Sequence, residues 1–219
     1  MLERVPEVEA MDTPEEAREY AAMDHREANE AFVQALERHG CAAGDLLDLG
    51  TGPGDIPMLL AGRHPGASIT GIDLSNEMLK LARLEVARRG LSRQIRLLEA
   101  DAKGLPFGDG VFDGVFSNTI LHHVADPERY LREADRVRKP GGALLIRDLV
   151  RPETEARLEE LVDTYAAGAT KRQRQLFADS LRASYTVDEV RALCDRCGLG
   201  AATVERSSDR HLTIWLEPR

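Results

Sequence analysis

The sequence predicts an α/β fold whose sheet is mostly parallel and doubly wound, with helices on both faces. Five short apolar segments alternate with helical segments over residues 45–150. Strands that alternate with helices are joined by right-handed crossovers, so they run parallel and are covered on both sides. Two further short strands follow near the carboxyl end, separated by the turn SSDR. We therefore expect seven strands, of which the last two form a β-hairpin.

Residues 1–40 predict a helical cap at the start of this fold. Thr13 is a helix N-cap, a proline follows it in the first turn, and Glu16 supplies the acid of a capping box. These signals predict a helix that runs to about His25. A second helix is predicted from about Ala28 to His39. It stops there because the next residue is a glycine, which commonly ends a helix.

Residues 41–150 form the predicted core of the fold. Each strand there is short and apolar, as expected for a strand that is buried on both faces. The five strands are Asp45 to Gly50, Ser68 to Asp73, Gln94 to Ala100, Val111 to Asn118 and Gly142 to Val150. Helix start signals at Asp55, Ser75 and Asp126 place helices between most of them.

Beyond Val150 the alternation stops, and residues 151–185 predict a helical insertion that covers the pocket as a lid. Thr186 and Glu189 form another capping box, which begins the helix of the carboxyl-terminal segment, residues 186–219. The strands AATVER and HLTIWLE complete that segment as the hairpin. We expect the whole chain to be a single domain.

The charge balance and the hydropathy pattern exclude several classes of partner. The chain has 29 basic and 38 acidic residues, a net charge of -9, so a nucleic-acid backbone would be repelled. No apolar stretch approaches the roughly 20 residues that cross a bilayer, and the amino terminus is acidic where a signal peptide is basic. We therefore expect a cytoplasmic monomer or homodimer that acts on a small molecule and does not insert into membranes.

The three cysteines predict neither a disulfide framework nor a metal site. Cys194 and Cys197 form a CxxC pair near a helix end. A structural metal site usually needs four ligands, and no second pair of cysteines or histidines has the spacing to complete one. We expect reduced thiols and no bound metal.

The segment DLLDLGTGPGDIP carries the clearest functional signal. It predicts a strand that ends at Gly50, a turn containing Gly52 and Gly54, and a helix that begins at about Asp55. Glycines in such a turn let a ligand approach the backbone closely. The dinucleotide-binding pattern G-x-G-x-x-G has a small residue where this chain has Asp55. An acid at that position would repel a pyrophosphate but not a cationic or zwitterionic ligand.

Four ordered motifs resemble the class I S-adenosylmethionine-dependent methyltransferases, in particular their methyltransferase-11 and quinone-biosynthesis-like branch. The glycine-rich segment matches the first motif of that family. Asp73 matches its ribose-binding acid, and Asp101 in EADAKGLPF matches the residue that faces the adenine amine. The block VFDGVFSNTILHHVADPERYLREADRVRKPGGALLIRD, with a turn at Lys139 to Gly142, resembles the family's fourth strand, helix and fifth strand. The resemblance spans about Leu46 to Val150 and implies a Rossmann-like fold that binds S-adenosyl-L-methionine.

This resemblance implies a set of cofactor-binding residues at the carboxyl ends of the strands, where open parallel sheets bind ligands. Asp73 suits two adjacent ribose hydroxyls, and Asp48 suits the ligand's ammonium group. Leu74 and Met78 would offer apolar surface to the adenine ring. The other predicted cofactor contacts are Gly50, Thr51, Gly52, Gly54, Asp101, Ala102, Asn118, His123 and Tyr20. The alternative for each acid is a helix cap or a solvated loop residue.

The same resemblance implies an in-line displacement, in which a nucleophile attacks the methyl carbon of the sulfonium. His122 and His123 closely follow the fourth strand, so either could be a general base at neutral pH. Asp148, at the end of the fifth strand, is predicted as a third catalytic residue. The alternative is that the two histidines only line the pocket.

Two arginines lead to a hypothesis about the acceptor. Near the end of the fifth strand, alternation directs Arg147 and Asp148 to opposite faces of the sheet. The hairpin turn would bring Arg210 and His211 to the same edge. Because arginine binds carboxylate or phosphate through a planar fork, an anionic acceptor is predicted. Tyr165 and Tyr185 of the lid are further candidates for acceptor contacts. Internal salt bridges and core packing are the alternatives.

Two other functions are compatible with the sequence. One is an NAD(P)-dependent oxidoreductase on a similar sheet, which would bind NAD rather than S-adenosylhomocysteine. The other is a non-catalytic protein that binds the cofactor and transfers no methyl group to any acceptor.

Overall fold

The computed structural model describes residues 2–7, 13–21 and 25–218. The strands of this part are β1 (Asp45–Leu49), β2 (Ser68–Asp73), β3 (Ile95–Glu99), β4 (Phe112–Asn118), β5 (Arg138–Leu149), β6 (Thr203–Arg206) and β7 (His211–Leu216). They form one sheet in the order β3-β2-β1-β4-β5-β7-β6. The predicted seven-stranded α/β fold is confirmed.

Strand directions place the ligand-binding edge of the sheet. Strands β1 to β5 are parallel to one another, whereas β7 is antiparallel to both β5 and β6. This confirms the predicted closing hairpin. The strand order reverses between β1 and β4, and in an open parallel sheet the crevice at the carboxyl ends of such strands is the ligand site.

Eight α-helices are described, and their bounds follow the start signals of the sequence. They are α1 (Pro14–Ala21), α2 (Arg26–Arg38), α3 (Asp55–Arg63), α4 (Asn76–Arg88), α5 (Pro127–Val137), α6 (Glu155–Tyr165), α7 (Lys171–Ala183) and α8 (Val187–Arg196). Ser75 and Asp126 accept backbone N–H bonds at the starts of α4 and α5, and Thr186 and Glu189 form the predicted capping box of α8. A short 3-10 helix, Leu121–His123, follows β4.

Successive residues of each central strand belong to opposite faces of the sheet. Leu47 and Leu49 of β1 pack in one buried cluster, together with residues of α5 and α8. Leu46, one residue before Leu47, packs in the other cluster with residues of α2 and α3. This alternation follows from the two-residue period of a strand, and burial on both faces explains why the strands are continuously apolar.

The starts of two elements differ from the sequence-based expectation. The described part of α1 runs to Ala21, and its predicted end near His25 follows residues 22–24, which lie outside the described residues. Helix α2 begins at Arg26, with His25 as its N-cap, rather than at about Ala28. Strand β5 begins at Arg138, so the predicted turn at Lys139 to Gly142 lies inside the strand. Arg138 pairs with Phe112 before the register shifts, and such a bulge accommodates the extra residues without ending the ladder.

The predicted helical lid, residues 151–185, contains two helices. Helices α6 and α7 are separated by residues 166–170, and they pack on each other through Leu158, Leu161 and Leu181. Within the described residues, no helix is both long and apolar enough to span a membrane.

Candidate functional site

The glycine-rich turn between β1 and α3 leaves open space above its backbone. Gly50, Gly52 and Gly54 all have positive φ angles, of 72°, 54° and 84°. L-residues with a side chain avoid this region, which explains the glycines. A Cβ added at Gly52 would meet no atom within 4 Å, whereas one at Gly50 would lie 2.6 Å from Ile120. The turn therefore bends tightly and keeps room for a ligand above Gly52.

Asp73 is held at the end of β2 by this turn. Its carboxylate accepts hydrogen bonds from the backbone N–H of Gly52 at 2.7 Å and of Ser75 at 2.8 Å. Burial raises the pKa of Asp73, although these backbone donors act in the opposite direction. An ionised carboxylate has about four acceptor positions, so Asp73 retains capacity for the hydroxyl groups of a ligand.

A cleft beside Asp73 contains six of the predicted cofactor-binding residues. They are Gly50, Asp73, Leu74, Asp101, Ala102 and His123. Ile72, Ala100, Lys103, Ile120 and Val124 complete the lining of this cleft. The sequence analysis missed these five, although each is next or close in sequence to a predicted residue. The ends of neighbouring strands therefore bring the predicted ribose contact, Asp73, together with the predicted adenine contacts Leu74 and Asp101.

Asp101 forms the opposite wall of the cleft from the turn after β3. Partial burial acts to raise its pKa, but hydrogen bonds from Lys103 outweigh burial and hold the pKa below its usual value. The backbone N–H of Lys103 donates to Asp101 Oδ1 at 2.8 Å, and its Nζ lies 3.0 Å from the same oxygen. Asp101 is therefore an ionised acceptor at the edge of the cleft.

Asp48 lies inside β1, beneath the glycine-rich turn rather than in the cleft lining. It is buried, and burial raises its pKa to about 7, with the Thr51 side chain acting against this effect. Its Oδ2 has no hydrogen-bond partner among the described residues. A buried acceptor without a donor is costly, so an external N–H donor would stabilise it.

Four other predicted cofactor contacts lie around the cleft rather than in its lining. Gly54 caps α3 and faces Ala82, and Met78 is buried in the first turn of α4. Burial, with the nearby carboxylates of Asp55 and Asp73, raises the pKa of Tyr20 to about 12, and its hydroxyl is hydrogen-bonded to Thr119. The side-chain oxygen of Asn118 accepts from Arg147 at 2.8 Å.

Thr119 is a residue that the sequence analysis missed. It follows β4 with a φ of 58°, an uncommon angle for a residue with a branched side chain. Its backbone N–H donates to the carbonyl of Arg147 at 2.8 Å, which holds this conformation. Strained backbone of this kind is often found at functional sites.

The predicted catalytic residues His122 and Asp148 form a buried pair. Asp148 Oδ1 lies 2.5 Å from His122 Nδ1, and Asp148 Oδ2 accepts the backbone N–H of His122 at 2.8 Å. A carboxylate partner requires a proton on Nδ1, so the neutral ring carries its lone pair on Nε2. Asp148 therefore fixes both the orientation and the tautomer of His122.

Glu7 lies next to both histidines, and nothing in the sequence pattern indicated it. Its Oε2 lies 3.2 Å from His123 Nδ1 and 3.9 Å from His122 Nε2. Burial raises the pKa of Glu7, while His122 and the Ser180 hydroxyl act to lower it. The amino-terminal residues thus contribute a carboxyl group to the region behind the cleft.

The five predicted acceptor-binding residues do not line the cleft. Arg147 is directed to the opposite face of β5 from Asp148, where Nη2 donates to the Ala28 carbonyl and the guanidinium lies over Phe32. Its burial lowers the pKa to about 10. Strand alternation explains this placement, and contacts inside the protein occupy the Arg147 side chain.

The other four occupy the neighbouring end of β7 and the lid. Arg210 lies over the ring of Tyr165, at 3.4 Å from its centroid, and is 3.4 Å from Asp209. The ring of Tyr185 is covered by Arg4. Burial lowers the pKa of His211 to about 3, with Arg147 and Arg210 adding to this effect. A pKa of about 3 leaves His211 neutral near pH 7, so Arg210 is the cationic side chain among these four.

The two cysteines of the CxxC pair are free thiols at the end of α8. Cys197 is the C-cap of that helix, and its Sγ contacts the Glu128 carbonyl at 3.5 Å. Both positions have a structural explanation.

Comparisons with known proteins agree with this geometry. A family profile described as "Methyltransferase domain" matches residues 47–146. Ubiquinone/menaquinone biosynthesis C-methyltransferase UbiE of Syntrophotalea carbinolica is 32% identical over 182 residues, 83% of this chain and 74% of that protein. The chain belongs to the class I S-adenosylmethionine-dependent methyltransferases. The predicted family is confirmed, and S-adenosyl-L-methionine is the cofactor that membership implies.

Two further relatives define how far the similarity extends. Demethylmenaquinone methyltransferase of Thermus thermophilus is 42% identical over 129 residues, which are 59% of this chain and 56% of that protein. The structure of a SAM-dependent methyltransferase from Aquifex aeolicus has a TM-score of 0.70 at 20% identity, covering 94% of this chain and 98% of that one. The chain spans about half the length of several curated relatives that it matches. The oxidoreductase alternative is not favoured.

Proposed function

We propose that this protein transfers the methyl group of S-adenosyl-L-methionine to a small-molecule acceptor. The observation that carries the proposal is Asp73, tied to Gly52 and Ser75 at the rim of a cleft that six predicted residues line. A nucleoside ribose offers two adjacent hydroxyls that one fixed carboxylate can accept. No phosphate-binding arrangement is needed, which agrees with the acid at the start of α3.

The residues of the cleft fit that cofactor. Asp48 Oδ2 is a buried acceptor that needs a donor, and the ammonium group of the methionine part would supply one. Leu74 is 43% exposed and would offer apolar surface to the adenine ring, while Asp101, in the same cleft lining, would accept from the adenine amino group. When bound, the cofactor supplies an electrophilic methyl group on a sulfonium. The chain's own contribution is to hold donor and acceptor in line and to exclude water.

We propose a hydroxylated aromatic ring, of the kind that becomes a quinone, as the acceptor class. The names of the Thermus and Syntrophotalea relatives support this proposal. An anionic group on that acceptor would bind Arg210. Among the described residues, its guanidinium pairs with one carboxylate, that of Asp209 at 3.4 Å. Arg147 is the weaker candidate for such a contact, because Asn118 and the Ala28 carbonyl already engage it.

The His122–Asp148 pair leaves a lone pair on His122 Nε2, which can accept either a proton or a metal ion. The predicted base catalysis by His122 or His123 remains a prediction. Only an acceptor that carries a proton at neutral pH would require a base.

Incubation of the full chain with methyl-labelled S-adenosyl-L-methionine and a panel of hydroquinones and catechols tests this proposal. We expect labelled product from at least one acceptor, together with S-adenosylhomocysteine. Calorimetric titration with NAD in parallel should give no binding. Saturable NAD binding, with no affinity for S-adenosylhomocysteine, would contradict the proposal. Cofactor binding without transfer to any acceptor would favour a non-catalytic role.

A further inference from the structure

Glu7, His122 and His123 bring three metal-ligating atoms together within 4.8 Å of one another. They come from the amino-terminal segment, residues 2–7, and from the 3-10 helix after β4. We propose that these three side chains bind a divalent transition-metal ion of the class to which Zn²⁺ belongs. Two imidazoles and one carboxylate are a ligand set that such ions prefer.

The hydrogen bond with Asp148 orients the His122 ring for metal binding. Histidine ligands of metals commonly donate their other ring N–H to a carboxylate, which fixes the tautomer and makes the ligating nitrogen more basic. Asp148 Oδ1 occupies that position, at 2.5 Å from Nδ1, and it also accepts the backbone N–H of Leu149 at 2.6 Å. The lone pair of His122 therefore lies on Nε2, the atom that faces Glu7.

His122 Nε2 is a buried polar atom without a hydrogen-bond partner in the described part of the chain. The side chain of His122 is only 2% exposed, so water does not readily supply the missing hydrogen bond. An imidazolium between two carboxylates would explain the cluster without a metal, but it would place Glu7 within hydrogen-bond distance of Nε2. The observed separation is 3.9 Å, which is too long for such a bond.

The spacing of the three atoms suits a common metal ion. Zinc binds imidazole nitrogen and carboxylate oxygen at roughly 2.0–2.2 Å in tetrahedral geometry, which separates ligand atoms by about 3.3 Å. Glu7 Oε2 lies 3.2 Å from His123 Nδ1 and 3.9 Å from His122 Nε2. These two separations are close to the tetrahedral value, and all three ligand atoms lie within 4.8 Å of one another, so an ion would draw the side chains together to complete the coordination.

Contacts with the lid and the 3-10 helix hold Glu7 in place. The Ser180 hydroxyl lies 3.1 Å from Glu7 Oε2, and the backbone N–H of Val5 donates to the Arg182 carbonyl. Arg4 donates to the carbonyls of Ala183, at 2.6 Å, and of His122, at 3.1 Å. The carboxylate is thus positioned by the fold, and a preorganised ligand binds an ion at lower entropic cost.

Three protein ligands leave at least one coordination position for water or for another oxygen. His123 also lines the cleft, so the ion would lie at its edge. A hydroxyl of the acceptor could take the open position and would lose its proton more readily there, a consequence that rests on the proposed function. Metal binding itself does not depend on that function.

Calorimetric titration of Zn²⁺ into the untagged full chain, after treatment with a chelator, tests the proposal. We expect one ion per chain, with at least tenfold weaker binding for Glu7→Gln. Glu37→Gln is the matched control, because Glu37 pairs with the single imidazole of His64 at 2.9 Å on the surface. Asp148→Asn should also weaken binding, by about tenfold to a hundredfold, through the loss of its contact with His122.

The unmodified chain loaded with Co²⁺ provides a second measurement that no variant can compromise. We expect the intense visible absorption of a four-coordinate ion with nitrogen ligands. Absence of saturable Zn²⁺ binding, equal affinity in Glu7→Gln and wild type, or a weak octahedral Co²⁺ spectrum would each overturn the proposal. Binding of S-adenosylhomocysteine should be the same in Glu7→Gln and wild type, so failure of the metal site is distinguishable from failure of the proposed function.

Discussion

The cleft and the region behind it differ in how far apart in the sequence their contacting residues lie. The cleft is built from residues that directly follow β1 to β4, such as Gly52 and Asp73, and the sheet topology alone brings them together. Behind the cleft, Arg4 contacts carbonyl groups that are 118 and 179 residues away. The first region was predictable from motifs, whereas the second depends on how the amino-terminal segment packs on the lid.

The largest expected effect on the cleft comes from Asp73→Asn. The substitution removes the charge that would bind the ribose hydroxyls, and hydrogen bonds to charged groups contribute about 1.5–3 kcal/mol. We expect the affinity for S-adenosylhomocysteine to decrease by about tenfold to a hundredfold, measured by calorimetry. Asp188→Asn, at an exposed acid of α8, is the control and should bind normally. Equal affinity in all three proteins would show that Asp73 does not contact the ligand.

Gly52→Ala tests whether the bound ligand occupies the open space above the glycine-rich turn. A Cβ at Gly52 meets no protein atom within 4 Å, and the same is true of Gly90, which also has a positive φ, of 70°. Gly90→Ala therefore imposes a similar backbone strain of about 1–2 kcal/mol at a site outside the cleft. Thermal unfolding should show comparable losses of stability in both variants. Only Gly52→Ala should bind S-adenosylhomocysteine more weakly, by about tenfold, and equal binding in both variants would contradict this use of the space.

Asp48 gives the ligand-free protein a specific dependence on pH. Burial raises its pKa from 3.8 to about 7, so between these values the folded state binds more protons than the unfolded state. The contribution of this group to stability therefore decreases as the pH rises through that range, by up to about 1.4 kcal/mol for each pH unit. In Asp48→Asn the free energy of unfolding should no longer show this decrease with rising pH. Identical pH profiles of the variant and wild type in chemical denaturation would refute the raised pKa.

The smallest effect is expected from a substitution of Arg210. Arg210→Met should raise the KM for an anionic acceptor by about fivefold, which corresponds to a partly exposed ion pair of about 1 kcal/mol. The affinity for S-adenosylhomocysteine should stay the same. Arg191→Met, which removes another arginine with one carboxylate neighbour, is the control. An unchanged acceptor KM would remove Arg210 from the acceptor site.

The sequence predicted the sheet and the cleft well because their signals are local. Buried strands are continuously apolar, caps such as Ser75 and Asp126 stand beside the helices they begin, and a motif such as DLLDLGTGPGD specifies a turn within a few residues. The predicted start of β5 was wrong because Arg138 already pairs with Phe112, and the ladder resumes at Gly114 and Ala143 after a register shift. A local turn pattern does not reveal such a shift.

The acceptor side was predicted less completely because side-chain direction and long-range packing decide it. Alternation along β5 correctly separates Arg147 from Asp148, but it does not show that Phe32 and Ala28 of α2 engage the arginine. Glu7 has no motif around it, and only the packing of residues 2–7 on α7 brings it to His122. Such contacts depend on tertiary structure rather than on sequence spacing.

A crystal structure of the full chain with S-adenosylhomocysteine tests the central claim most directly. The account predicts that both ribose hydroxyls lie within hydrogen-bond distance of the Asp73 carboxylate, above Gly52, with the amino group of the ligand near Asp48. Electron density for the nucleoside at another edge of the sheet, or its absence from this cleft at saturating concentration, would contradict the account.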